Sequence, residues 1–331
     1  MTRALPLANV VRRGFPAATL SWAIEPACLP LVENHPALDE VIVFNRRRWW
    51  KELWPFLQGI RARRFDLVLD LQRHFKSGII SRYSGAPVRL GFNRADAKEF
   101  NWVFNNHFLP AVGNTISKLE HYLKFAEYLS LNPYPLEWNI PLTLEEERRV
   151  EHFLENVRRP FAVLFLGSRW ESKRWFPGQM AECAGMIRRR FGLDAVFLGD
   201  RQDESAAREA QELSEMDLIN LTGQTSLREA AGIIARARVA IGPDTGLMHL
   251  AAAVGTPVVS LWGATSPART GPHGFEDLVI QGKASCAPCY LKKCSIGRIC
   301  MQSIAVEEIA GKIGLALSRP DAKALNRDTR I

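Results

Sequence analysis

Apolar positions along this chain recur in two rhythms that take turns. Residues 3–13 place Leu5, Ala8, Val11 and Arg12 at helical spacing, and Gly14 and Pro16 stop that run before "ATLSWAI" alternates like a strand. A proline-broken helical stretch leads to a second strand over residues 41–44. The basic, Trp-rich "RRRWWKELWPFLQGIRARRF" reads as a helix, "DLVLDLQ" as a strand, and "GAPVRLGF" as one more short strand. Around residues 132–160 the texture changes to a proline-rich stretch and a charged helix. A second alternating series then opens, with strands at residues 161–166, "DAVFLGD", "LINLTG", "VAIGPD" and "PVVSLWG" and helices between them. Helix alternating with strand predicts α/β units with mostly parallel sheets. The expected domains are residues 1–145 and 158–315, joined by a linker near 140–158, with a tail over 316–331.

The first unit departs from this pattern at its start. A doubly wound domain normally opens with a central strand whose loop faces the ligand crevice. Here the first element is a helix, so the chain reads as starting one strand late. The strands near residues 19–24 and 66–71 are then expected to lack a partner between them.

Charge sharpens the division between the halves. Residues 1–110 hold 16 Lys and Arg against 9 Asp and Glu, a net of +7, whereas the whole chain carries +8. A basic half beside a neutral one suits an acidic partner such as phosphate groups or a membrane surface. No nucleic-acid-binding motif accompanies the charge, so nucleic acid is not expected. No apolar run approaches the ~18 residues of a membrane helix. The early apolar stretch is short and broken by Pro6 and Asn9, so no signal peptide is read, and cytoplasmic residence is expected. Cys286, Cys289, Cys294 and Cys300 cluster in "CAPCYLKKCSIGRIC". The last pair is spaced x5, wider than most zinc knuckles, which favours a packing or loop role over metal.

Candidate chemistry concentrates at the ends of strands in the second unit. "VAIGPDTGLMHLAAAVGTPVVSLWG" parses as strand, tight turn, short helix and strand. Asp244 or Thr245 is placed to cap the helix, and the free amides near Thr245 and Gly246 would favour an anion. His249 lies one turn further on the same face. An aspartic-protease reading of "DTG" fails, because those sites need a paired carboxylate and an all-β setting. A second loop, "GSRWESKRWFP", brings Ser168 and the cation of Lys173 to the end of the preceding strand. Together the two loops look like a diphosphate site. A third, "GDRQDES", offers Asp200, Asp203 and Glu204 to ribose hydroxyls.

With "SKRWFP" upstream, "GPDTGLMHLAAAVGTPVVSLWGATSPARTGPHG" closely resembles the heptosyltransferases of lipopolysaccharide inner-core assembly, glycosyltransferase family 9. The likeness continues through "NLTGQTSLREAAGIIARARVAIGPD" and "CAPCYLKKCSIGRICM", and more loosely through "HPALDEVIVFNRRRW" and "FDLVLDLQRHFKSG". It implies a GT-B architecture, two Rossmann-like domains facing across a cleft. It also implies inverting transfer of heptose from ADP-heptose, with no cofactor and no essential metal. Ser168, Lys173, Asp244, Thr245, Gly246 and His249 fall on donor-site positions. Lys173 would touch the diphosphate, Asp244 the heptose hydroxyls, and the Thr245 and Gly246 amides the phosphate. The acceptor would be a phosphorylated lipopolysaccharide core at the inner membrane surface, with Arg46, Arg47 and Arg48 helping to hold it and the protein peripheral there.

The family's general base is an Asp on a Gly-Asp loop before the segment matching "ALP", upstream of Met1 in this numbering. Glu25 and Asp70 are the carboxylates considered in its place. The alternatives to an active heptosyltransferase are a nucleotide-sugar-binding relic without its base and another GT-B sugar-nucleotide enzyme such as an epimerase.

Overall fold

The computed structural model describes residues 1–113 and 116–319. From residue 320 on, the expected tail lies outside the described residues. The chain divides into two compact units, one of Arg3–Asn139 and a second beginning at Ile140.

In the first unit the expected opening helix runs Leu5–Gly14 after a short 3-10 turn, Thr2–Ala4. Its strands are β1 (Ser21–Ile24), β2 (Glu40–Val43), β3 (Leu67–Leu69), β4 (Val88–Gly91) and β5 (His107–Phe108). All pair in parallel, but in two separate sheets, β1-β2 and β3-β4-β5. Among the described residues β1 and β3 share no ladder, and each is only partly buried. Leu7, Val10 and Val11 of the first helix form a core with Leu90, Phe92 and Phe125. Leu20, beside β1, and Leu67 and Leu69, in β3, pack on that same core. A second, smaller core gathers Phe56, Leu57 and Ile60 of helix Trp49–Ala62.

The second unit holds β6 (Phe161–Phe165), β7 (Asp194–Leu198), β8 (Ile219–Asn220), β9 (Val239–Pro243), β10 (Val258–Trp262) and β11 (Val279–Gln281). They form one parallel sheet in the order β11-β10-β9-β6-β7-β8. Strand order reverses at the β6–β9 pair, the switch point beyond whose carboxyl ends doubly wound sheets bind ligands. Every residue of β6, β9 and β10 is buried, as expected for parallel strands covered on both faces. The charged segment after residue 140 is not bare linker. It forms helix Leu144–Phe153, closed by a Thr143–Glu146 capping box, and Glu146 accepts a hydrogen bond from Arg228 Nε at 2.8 Å. Among the described residues no helix is long and apolar enough to cross a membrane.

Candidate functional site

Three loops at the carboxyl ends of β6, β9 and β10 converge on Asp244. Lys173 Nζ, from the loop after β6, donates to Asp244 Oδ2 at 2.5 Å. Thr265, just past β10, donates its hydroxyl to the same oxygen at 2.9 Å. Ser168 Oγ donates to the Asp244 carbonyl at 3.3 Å. The Lys173 ammonium also lies 4.5 Å from the centroid of the Trp170 ring, a cation–π contact that fixes its direction. The two charged side chains are only 15% and 12% exposed, so their attraction is weakly screened.

Helix Gly246–Ala253 begins at this point. Thr245 occupies its N-cap position, yet its side chain makes no capping hydrogen bond, so the first-turn amides keep their donors for another group. A Cβ built on Gly246 meets nothing within 4 Å. The fold therefore does not demand glycine there, and its absent side chain leaves the amides open to close approach. His249, three residues on, is partly exposed. The β6 and β9 loops thus bring Ser168, Lys173, Asp244, Thr245 and Gly246 together, with His249 one turn along the helix.

In the loop after β7, read in the sequence for ribose hydroxyls, Asp200 and Asp203 hydrogen-bond their own backbone. Asp200 Oδ1 accepts from the Gln202 amide at 2.8 Å, and Asp203 Oδ2 accepts from the Asp200 amide at 3.1 Å, a local cap. Burial, followed by the neighbouring Asp200 charge, pushes the Asp203 carboxyl above the usual carboxylate range, although the Asp200 amide and Arg174 act against it. Asp203 also lies where a side chain on Gly167 would stand. Glu204 pairs with Arg208 at 3.4 Å.

The cysteine segment backs the Lys173 loop. The Ser172 amide donates to the Lys292 carbonyl at 3.2 Å, and its hydroxyl to the Leu291 carbonyl at 2.5 Å. Arg298 donates to the Arg174 carbonyl at 3.0 Å while its guanidinium lies 4.1 Å from the Phe176 centroid. Burial, then the nearby Cys286, Cys294 and Cys289, push the Cys300 thiol up. Among the described residues no group of three or more His, Cys, Asp or Glu is arranged to hold a metal. Thr265, Trp170, Ser172 and Arg298 escaped the sequence reading. A hydroxyl three residues beyond a strand, as in "GATSP", was the signal available for Thr265.

In the first unit Arg46–Arg48 form an exposed 3-10 turn, with Arg46 lying 3.7 Å from Glu25. Lys76 pairs with the same Glu25 oxygen at 3.3 Å. Asp70 is buried and accepts from Asn101 Nδ2 at 2.7 Å and the Gln72 amide at 3.1 Å, so its carboxylate is enclosed by donors. Burial nonetheless raises its pKa.

Residues 53–300 match the model of glycosyltransferase family 9 (heptosyltransferase). The chain belongs to glycosyltransferase family 9. It is 30% identical to lipopolysaccharide heptosyltransferase 1 of Pseudomonas aeruginosa, over 88% of this chain and 83% of that one. Its fold is similar to a family 9 glycosyltransferase from Veillonella parvula, with a TM-score of 0.81 and 20% identity over 96% of this chain and 93% of that one. It is also similar to E. coli ADP-heptose LPS heptosyltransferase II, with a TM-score of 0.76 and 22% identity over 99% and 96%. The family 9 chain has the GT-B fold, built from two α/β units with parallel sheets. It is a glycosyltransferase, and the relic reading is not favoured.

Proposed function

We propose that the chain transfers heptose from ADP-heptose to a phosphorylated lipopolysaccharide core carried at a membrane surface. The observation that carries this reading is the Lys173–Asp244 pair at the strand-order switch, beside the open start of helix Gly246–Ala253. A diphosphate needs a fixed cation and free amides, and a sugar needs a carboxylate to accept its hydroxyl protons. In this site Lys173 takes the diphosphate, the Thr245 and Gly246 amides hold phosphate oxygens, and Asp244 receives heptose hydroxyls. Thr265 and Ser168 keep Asp244 in place for that task. His249 stands one turn along the helix, toward the same ligand.

Lys173 and Asp244 neutralise each other, so neither charge is left unpaired in a poorly solvated loop. Donor binding exchanges that pair for two others, Lys173 with phosphate and Asp244 with sugar. The exchange favours a ligand that carries both groups. On the other unit, the Arg46–Arg48 turn offers guanidiniums to an acidic acceptor.

The test is heptose transfer by the full chain from ADP-heptose to a panel of truncated core acceptors, read by mass spectrometry. A mass increase of one heptose on a phosphorylated core, greater than on its dephosphorylated form, supports the reading. Transfer to none of the panel, with no calorimetric binding of ADP-heptose, overturns it.

A further inference from the structure

Helix Trp49–Ala62 buries Phe56, Leu57 and Ile60, yet its first turns turn three indoles outward. Trp49, Trp50 and Trp54 are 55%, 65% and 59% exposed. Trp50 and Trp54 are one helical turn apart, and Trp49 meets Trp50 edge-on at 6.4 Å between centroids. Indoles this open need a reason, because their apolar area favours leaving water.

The turn that precedes them carries Arg46, Arg47 and Arg48, all exposed. This turn is held in shape. Asn45 Oδ1 accepts from the Arg47 amide at 3.1 Å, and Glu52 Oε2, from inside the helix, accepts from the Asn45 amide at 3.2 Å. Guanidiniums and indoles are therefore presented together by one rigid helix start. The surrounding sequence is strongly cationic. Residues 45–104 hold 13 Lys and Arg against 5 Asp and Glu, a net of +8, equal to the net charge of the whole chain.

Indoles prefer the headgroup level of a bilayer, where the ring is dry and its N–H is wet, and guanidiniums pair with lipid phosphates. Three exposed guanidiniums on one turn suit an extended anionic plane better than a compact protein epitope, whose matching acidic groups would have to be dense and desolvated. We infer that the start of helix Trp49–Ala62 is a docking surface for an anionic lipid bilayer, entered by Trp49, Trp50 and Trp54 and held by Arg46, Arg47 and Arg48. This deepens, and rests on, the reading that the acceptor is carried on a lipid. Docking here would hold the enzyme in the plane of its acceptor.

The test uses the full chain with vesicles of phosphatidylcholine alone and of phosphatidylcholine mixed with phosphatidylglycerol. Binding is read by co-sedimentation, and insertion by quenching of Trp fluorescence with brominated acyl chains. The expected result is binding to the anionic vesicles only, weakened by salt, with quenched emission. The Trp49→Ser/Trp50→Ser variant, whose rings meet only each other among the described residues, should bind about tenfold more weakly or worse. Replacing Arg46, Arg47 and Arg48 with Ser should abolish the preference for phosphatidylglycerol. A deacylated core acceptor in solution separates this inference from the proposed activity. The Trp variant should transfer to it at the parental rate and lose transfer only to vesicle-borne acceptor. Absence of vesicle binding by the parent, or binding that ignores both variants, overturns the docking surface. An equal loss by the Trp variant on soluble and vesicle-borne acceptors also overturns it, and assigns the indoles to the oligosaccharide. Vesicle binding with no transfer to any acceptor supports the surface and overturns the activity instead.

Discussion

Lys173 and Asp244 are 71 residues apart in sequence, yet their side chains meet at 2.5 Å where the strand order of the second unit's sheet reverses. Neither residue could be placed against the other from local pattern. Each follows its own strand, β6 or β9, and the β6–β9 ladder brings the two loops together. The pair is the simplest account of how one loop supplies the cation and the other the carboxylate of a sugar-nucleotide site.

If Lys173 holds the diphosphate, Lys173→Ala removes a charge-assisted contact worth ~1.5–3 kcal/mol, and ADP should bind about ten- to a hundredfold more weakly. Asp244→Asn acts the other way on the cation. It releases Lys173 from its partner, so ADP affinity should hold or rise, while ADP-heptose, deprived of its sugar contact, should bind more weakly. Calorimetric titration of both variants with both ligands decides this. Equal losses of ADP and ADP-heptose in Asp244→Asn would contradict the division of roles.

Gly167 lies in the same switch-point loop, and a methyl group there runs into the Asp203 carboxylate. Gly167→Ala should therefore destabilise the second unit by about 1–3 kcal/mol, the usual cost of overpacking. Shortening the obstacle should restore much of that loss. The Gly167→Ala/Asp203→Ala double variant is expected to be more stable than the sum of the single effects, a coupling that urea denaturation can measure. Strict additivity would place the strain elsewhere.

The first unit should show its divided sheet in hydrogen exchange. β1 pairs with β2 alone among the described residues, and its side chains are only partly buried, whereas β6 is fully buried between β7 and β9. Amides of β1 and β3 should exchange about a hundredfold faster or more than those of β6 and β9. Equal protection across the four strands would mean that the first unit is as cooperatively closed as the second.

How much of this was legible in the sequence depended on burial. β6, β9 and β10 announce themselves as unbroken apolar runs because both faces are covered. β5, with two residues, and β11, with three, are too short to carry a periodicity. The loops holding Ser168, Lys173 and the Asp244–Gly246 turn were readable because each follows such a strand. Thr265 and Arg298 were not, since their roles depend on which loops become neighbours in the folded sheet. The acidic run of Asp200, Asp203 and Glu204 was open to two readings. Acidic residues at a helix start can serve a ligand or cap their own backbone, and here Asp200 and Asp203 cap.

One pH-dependent element lies in the first unit. His35 is 2% exposed; its Nε2 lies 2.9 Å from the Trp138 carbonyl, and its Nδ1 accepts from the Ala37 amide at 3.2 Å. That arrangement uses both ring nitrogens of the neutral form with the proton on Nε2, and a second proton on Nδ1 would face an N–H donor. Burial is the larger influence and lowers the His35 pKa, against a smaller opposing effect of the Trp138 carbonyl. In the unfolded chain His35 titrates near its ordinary value of about 6.5. As pH falls below that value the unfolded chain takes up a proton that the folded chain refuses, so stability declines, by at most about 1.4 kcal/mol per pH unit for this one group. The contribution is complete above about pH 6.5 and is lost as pH falls toward the lowered folded value. His35→Gln keeps a polar side chain but no longer titrates. Its urea midpoint should therefore change less between pH 7.5 and 5.5 than that of the parent, by roughly the share that one proton allows. If parent and variant show the same slope over that interval, His35 is not the group that makes the first unit acid-sensitive.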